Sequence, residues 1–133
     1  MSNFLVLNPV EPDDGLDYLF AYMGAVYGSR FLKNWEGTNL DLVRQVWKKE
    51  LGPYLKSKEI LDFALSHLPA DFPPSAIGFK ELCKKSPDVI DLDTRTGIER
   101  LAYKMNYGEW NQMEIFTDYR SKVIKKAKEE GLL

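Results

Sequence analysis

The sequence predicts an all-α fold, a small bundle of five or six short helices. Apolar residues recur at three- and four-residue spacing along most of the chain, which is the spacing of one face of an α-helix. No segment shows the alternation of apolar and polar residues that marks a half-buried strand. Residues that favour helix starts and stops separate the periodic segments, so each helix is expected to be short.

The composition is that of an ordinary globular protein. The chain has 133 residues, of which 44% are hydrophobic and 29% charged, enough for one domain with a real core. The net charge of −2 offers no overall reason to expect nucleic-acid binding. A single cysteine excludes an internal disulfide and a multi-cysteine metal site.

No apolar run approaches the roughly 18 residues that span a bilayer. The short apolar run near the N-terminus lacks the basic start of a signal peptide. We therefore expect a cytoplasmic protein that does not enter a membrane.

Residues 1–13 are predicted to be a flexible acidic tail, and residues 14–133 a single all-helical domain. Negative charge at Asp13, Asp14 and Asp17 suits the start of a helix, and either Gly28 or Gly37 is expected to end it. The apolar face of this first helix is predicted to comprise Leu16, Leu19, Phe20, Met23 and Tyr27.

The second and third helices have clear boundaries. Thr38 or Asn39 is expected to cap the second helix, and Gly52-Pro53 to stop it. Ser57 is expected to start the third helix, and Pro69 to close it. The predicted core stripe of the second helix is Leu40, Val43, Trp47 and Leu51, widened by Leu42 and Val46; that of the third is Ile60, Leu61, Ala64, Leu65 and Leu68.

The run from Phe72 to Cys83 specifies a corner between a loop and the fourth helix. The Pro73-Pro74 pair keeps the chain extended, and Ser75 is placed as the N-cap. Phe79 and Cys83 are four residues apart, so they share a helix face that we expect to be buried.

Residues 86–94 form the clearest linker. They are expected to separate a four-helix unit (14–86) from a C-terminal helical hairpin (94–131). Thr94 is predicted to cap the fifth helix, and Asn111 with Glu114 to open the last one. The buried face of the last helix is predicted to contain Met113, Phe116, Val123 and Ala127.

Signatures of an enzyme are mostly missing from the sequence. There is no glycine-rich phosphate loop followed by Lys-Ser/Thr. His67 is the only histidine, and its local sequence lacks the partners of a catalytic triad or metal cluster. Cys83 lies on the apolar face with Phe79, which favours a buried thiol. We expect a non-enzymatic protein without a metal or cofactor; a small enzyme would require His67 to lie near Cys83 or a carboxylate cluster in a pocket.

The last helix carries the predicted partner-binding site. The lysine and arginine residues clustered on this helix would suit DNA phosphates or an acidic protein surface. The alternative is that they form a solvated face interleaved with Glu129 and Glu130. Trp35 and Trp110 fall at turn-like positions, where an exposed aromatic side chain is a candidate interface anchor. The predicted partner-binding residues are Trp110, Arg120, Lys122, Lys125 and Lys126.

The order of features across residues 16–85 resembles the phage lambda replication protein P group of helicase loaders and related prophage proteins. The shared features are an aromatic-rich first helix, Gln45-Val46-Trp47 in the second, and a third helix with Ile60, Ala64 and Leu65, followed by Phe72-Pro73-Pro74-Ser75 with Phe79 and Cys83. The Pro-Ser-x-x-x-Phe-x-x-x-Cys spacing is the most specific part. The resemblance covers just over half of the chain.

This resemblance implies a non-enzymatic DNA replication accessory protein in the cytoplasm of a bacterial host. Its partner would be the hexameric replicative helicase, which such loaders hold open and help to place on single-stranded DNA. The chain is shorter than the lambda protein, begins with an acidic segment, and has an unmatched C-terminal segment. The alternative is a DNA-binding, replisome-organising module that uses the basic C-terminal helix.

Overall fold

The computed structural model describes residues 4–33, 35–107 and 116–133, and it confirms the predicted all-α fold. The described residues contain seven α-helices, where five or six were expected; the short additional helix α2 follows α1 directly. The helices are α1 (Pro12–Tyr27), α2 (Ser29–Lys33), α3 (Leu40–Leu51), α4 (Lys58–Leu65), α5 (Ala76–Lys84), α6 (Arg95–Lys104) and α7 (Phe116–Glu129), with a 3₁₀ helix at Gly52–Lys56 and strands β1 (Phe4–Leu5) and β2 (Ile90–Asp91).

The chain forms two compact units. The N-terminal unit is Asn8–Ser86, and the C-terminal unit combines Met1–Leu7 with Pro87–Leu133. The division at Ser86 lies at the start of the linker that the sequence predicts at 86–94.

The start of the chain differs from the flexible tail expected for residues 1–13. Phe4 pairs with Asp91 and Leu5 with Ile90 in an antiparallel ladder, and α1 begins at Pro12. The described part of this segment is therefore built into the fold. A strand of two residues is too short to show the alternation by which sequence analysis recognises strands.

Polar caps set the start of four helices, as their sequences predict. Each cap side chain accepts a hydrogen bond from a backbone N–H that the first helical turn leaves without a partner. The caps are Asn39 to Asp41 N at 2.9 Å, Ser57 to Ile60 N at 3.3 Å, Ser75 to Gly78 N at 3.1 Å and Thr94 to Gly97 N at 3.0 Å.

The core of the N-terminal unit contains many aliphatic side chains and a group of aromatic rings in contact with one another. The aliphatic part comes mainly from α1 and α4, and Phe79 and Cys83 of α5 are fully buried, as predicted. In the aromatic part, the ring centroids of Phe20 and Trp35 lie 4.8 Å apart, and those of Trp47 and Phe79 5.9 Å apart. Trp35 thus packs inside the unit and is only half-buried.

Ion pairs join the acidic start of α1 to α3. Arg44 Nη1 lies 2.8 Å from Asp17 Oδ1, and Lys48 Nζ lies 2.8 Å from Asp13 Oδ1. The hydrogen bond and the charge of Lys48 lower the pKa of Asp13. The acidic start of the chain is therefore neutralised in part within its own unit.

The C-terminal unit packs α6 and α7 with the short sheet. Val123 and Ala127 are fully buried, as predicted, and Tyr119 joins them; Phe116 is partly buried, and Met113 lies outside the described residues. A Cβ at Gly97 would stand 1.9 Å from the carbonyl oxygen of Asp91, so only glycine permits α6 to approach β2 this closely.

Candidate functional site

Three large aliphatic side chains of the N-terminal unit point into solvent beside one another. The exposed fractions are 57% for Leu42, 44% for Val46 and 63% for Ile77. Leu42 and Val46 are one turn apart on α3, and Ile77 lies in the first turn of α5. Such a group is rarer on a soluble protein than a single exposed leucine, which is common.

The predicted core stripe of α3 is therefore wrong in part. Trp47 and Leu51 are buried, whereas Leu40 is 58% exposed and Leu42 and Val46 also face solvent. Apolar residues cover more of the circumference of α3 than its contacts with α1, α5 and the 3₁₀ helix can bury. The surplus apolar face remains exposed.

A groove of about 650 Å³ runs along this exposed face. Its floor is aromatic, with Phe31, Trp35 and Trp47, of which Phe31 and Trp47 are buried. The other lining residues are Thr38, Asn39, Leu42, Val43, Val46 and Glu50 at the α3 side, and Pro73, Pro74, Ser75, Ala76 and Ile77 at the α5 side.

The local sequence explains how the α5 wall forms. Pro73 and Pro74 restrict the backbone before the helix, and the Ser75 cap fixes where α5 begins. Ala76 and Phe79 then face the core, which turns Ile77 outward. The Phe72–Cys83 corner thus both buries Phe79 and Cys83 and builds one wall of the groove.

The polar side chains that line the groove already have partners within the unit. Asn39 Oδ1 accepts from the backbone N–H groups of Asp41 and Leu42. Ser75 Oγ accepts from Gly78 N, and Thr38 Oγ1 donates to the carbonyl of Trp35 at 2.6 Å. Glu50 lies 4.0 Å from Lys80 Nζ. The free surface of the groove is therefore chiefly apolar.

A second cleft, with positive charge, shares Pro73 with the groove. It is lined by Arg30, Lys33, Asp71, Phe72 and Pro73. Arg30 Nη1 donates to the backbone carbonyl of Asp71 at 3.1 Å, and Phe72 is 74% exposed. The cleft thus has two cations and one carboxylate at its walls.

Comparisons with known proteins add nothing to this geometry. No protein-family model, curated protein or solved structure matches the chain.

The predicted partner-binding residues of the last helix differ in what they contact. Arg120 is held within the C-terminal unit: Nε donates to the carbonyl of Leu92 at 2.7 Å, and Nη2 to Asp93 Oδ1 at 3.2 Å. Lys126 lies 3.8 Å from Glu130 in the next turn. Lys122 and Lys125 are exposed. Trp110 lies outside the described residues.

Cys83 and His67, which form one of the two arrangements that a small enzyme would require, lie in different environments. Cys83 is fully buried, and burial raises the pKa of its thiol to about 12, so the thiolate is scarce at neutral pH. His67 is exposed; its ring stacks on Phe63 at 4.3 Å, and its Nδ1 lies 2.8 Å from the Phe63 carbonyl.

Neither a cluster of metal-ligating residues nor a helix that could span a bilayer occurs in the part of the chain that the structure describes. No three histidine, cysteine or acidic residues there are grouped so that they could hold a metal ion. None of the helices there combines the length and the apolar character needed to cross a bilayer.

Sequence reasoning missed the groove because it assigned Leu42 and Val46 to the core. One signal was present: α3 has apolar residues at 40, 42, 43, 46, 47 and 51, which is more than one buried stripe requires. Such a wide apolar arc, on a short helix whose other residues are almost all charged, indicates a second apolar contact.

Proposed function

We propose that this chain is a non-enzymatic accessory protein of phage or prophage DNA replication, which binds the hexameric replicative helicase in the cytoplasm of the bacterial host. The observation that carries the proposal is the apolar groove of the N-terminal unit, where Leu42, Val46 and Ile77 face solvent above an aromatic floor.

The groove supports a protein partner because of its chemistry. Removal of apolar surface from water favours association. Interface residues that dominate affinity lie in pockets that a partner fully desolvates. Exposed aliphatic side chains around a half-buried Trp35 and a buried Trp47 offer such a pocket.

The resemblance to the lambda protein P group concerns the same elements as the groove. Trp47 and Pro73-Pro74-Ser75, which carry part of the resemblance, also line the groove. Phe79 and Cys83, which carry its most specific part, form the core beneath α5. The resemblance therefore supplies the helicase as the partner to test, and the groove supplies the surface.

Binding of the full chain to the host's hexameric helicase tests the proposal. We expect a stable complex and a changed ATPase rate, and we expect the double variant Leu42→Gln, Val46→Gln to bind at least about tenfold more weakly. Glutamine keeps the helix propensity while removing apolar surface. Tyr103→Gln is the control, since Tyr103 is 84% exposed and lies in the C-terminal unit.

The outcome that rejects the proposal is simple. A full chain that neither binds the helicase nor alters its ATPase and unwinding would exclude this function. Unchanged affinity of the double variant, with a complex still formed, would keep the partner and move the interface away from the groove.

A DNA-binding module is the second candidate, and the exposed positions of Lys122 and Lys125 on α7 favour it. It predicts binding to single-stranded DNA whose affinity falls steeply with salt, because each neutralised phosphate releases counterions. Lys122→Gln with Lys125→Gln would then reduce both the affinity and the salt slope. The control replaces Lys49 and Lys56, which are exposed in the N-terminal unit. Absent or salt-insensitive binding removes this candidate.

A further inference from the structure

We propose that the groove receives one amphipathic α-helix of a partner protein, and that this helix places a carboxylate near Pro73, opposite Arg30 and Lys33. The inference rests on the proposed function only in taking the groove as a protein-binding site. It does not depend on the partner being a helicase.

The shape of the apolar surface suits a helix. α3 has 12 residues and is therefore about 18 Å long, and Leu42 and Val46 repeat along it at the spacing of one helical turn. A helix laid beside α3 and against Ile77 would contribute apolar residues at i, i+3 or i+4, and i+7. Three turns of such a helix match the length of α3.

An extended peptide would fit the groove less well than a helix, because the polar side chains of the groove already have hydrogen-bond partners. An extended segment must find partners for its backbone N–H and C=O groups when they are buried. The side chains of Thr38, Asn39 and Ser75 already make hydrogen bonds within the unit, and no strand lies among the described residues of the groove. A helix satisfies its own backbone, so it loses least in this apolar setting.

The charge beside the groove sets the orientation of the helix. Arg30 and Lys33 are exposed and, among the described residues, neither forms an ion pair with a carboxylate. The cleft that they line meets the groove at Pro73. Asp71 offsets part of this charge, and its carbonyl holds Arg30 in place. A carboxylate of the partner at this edge completes the charge balance.

Two displayed peptide libraries test the inference with the full chain as bait. The first encodes 14-residue helices with a leucine seam and with random Glu, Lys or Gln at the flanking positions. The second is identical except for a central proline, which breaks the helix. We expect enrichment from the first library only, with Glu concentrated at one end, and we expect the Leu42→Gln, Val46→Gln variant to reduce the affinity of enriched peptides at least tenfold.

A charge reversal tests the orientation. Lys33→Glu, combined with Arg30→Glu, should reverse the preference from Glu to Lys at the same end of the helix. A change of preference cannot come from unfolding, which would abolish binding to every peptide. The matched control is Lys56→Glu, at an exposed lysine that lines neither the groove nor the cleft.

Three outcomes overturn the inference: no enrichment from either library, equal enrichment from the proline library, or groove-dependent self-association of the chain in sedimentation experiments. The last would make a second copy the occupant. Enriched helices without helicase binding would reject only the proposed function. Helicase binding that the groove variant does not weaken would keep the helicase as a partner and place its interface outside the groove.

Discussion

At the scale of single residues, Gly15 is the described glycine of the N-terminal unit at which an added Cβ would lie nearest to other atoms. It is buried in the first turns of α1, and a Cβ there would stand 2.1 Å from the carbonyl oxygen of Leu55. Backbone atoms cannot move aside as the end of a flexible side chain can. Gly15 therefore permits α1 to contact the 3₁₀ helix.

We expect Gly15→Ala to lower the free energy of unfolding by about 1–3 kcal/mol, because overpacking forces a backbone shift. Gly24→Ala in the same helix is the control. Its Cβ would meet only a Phe31 ring carbon at 3.9 Å, so the better helix propensity of alanine should raise stability by up to about 1 kcal/mol. Urea unfolding of both variants measures the difference, and two equal effects would contradict the role assigned to Gly15.

Tyr18 links stability to alkaline pH. The hydrogen bond that its hydroxyl donates to Asp62, together with burial, raises its pKa from 10.0 to about 12. The folded state holds this proton more tightly than the unfolded state. The resulting contribution to the free energy of unfolding is therefore complete below pH 10 and is lost as the pH rises through 12.

We therefore expect Tyr18→Phe to be less stable than the natural chain at pH 8, and this difference to shrink between pH 10 and 12. Urea unfolding at pH 8, 10 and 11 measures it. Tyr22→Phe is the control, since Tyr22 lies one turn away and is similarly exposed, at 40% against 37% for Tyr18. A difference that stays constant with pH would show that the Asp62 hydrogen bond does not hold the proton.

At the scale of elements, α7 contains both structural and exposed cations. Arg120 joins α7 to the loop after β2 through Leu92 and Asp93, and from α6 Arg100 donates to the Val89 carbonyl at 3.0 Å. Lys122 points into solvent on the same helix. The basic residues of α7 thus have different environments, although the sequence alone does not distinguish them.

Arg120→Gln should destabilise the C-terminal unit by about 1–2 kcal/mol, since it removes two charge-assisted hydrogen bonds from a partly buried side chain. Lys122→Gln should leave stability within about 0.5 kcal/mol of the natural chain. Hydrogen exchange of the α6 and α7 amides measures both effects. Equal protection in the two variants would contradict the structural role of Arg120.

The difference between local and non-local contacts explains which features could be predicted from the sequence. The caps at Asn39, Ser57, Ser75 and Thr94 act over three residues, so the local sequence is enough to find them. The exposure of Leu42 depends on which face of α3 its neighbours cover, and those neighbours are distant in sequence. The pairing of β1 with β2 also joins distant segments and has only two residues in each strand. Each difference between the prediction and the structure therefore depends on contacts between residues that are distant in sequence.

At the scale of the whole molecule, the two units differ in continuity. The N-terminal unit is one uninterrupted segment, Asn8–Ser86, whereas the C-terminal unit needs both ends of the chain. The groove, its aromatic floor and the basic cleft all belong to the continuous segment. A separable N-terminal unit would thus retain the whole candidate site.

We expect the fragment 8–86 to fold cooperatively and to bind the same partner as the full chain, because the caps and core of α1–α5 lie within it.

The thiol of Cys83 reports whether this fragment is folded, since Cys83 is fully buried in the N-terminal unit and is the only cysteine of the chain. In the folded fragment it should react with a thiol reagent as slowly as in the full chain, and its reaction should become fast in urea. The fragment 87–133 lacks β1 and is the control, which we expect to unfold more readily than the C-terminal unit of the full chain. Rapid labelling of Cys83 in the 8–86 fragment without urea would show that its core needs the rest of the chain, since a thiol reacts quickly only when the packing around Phe79 is lost.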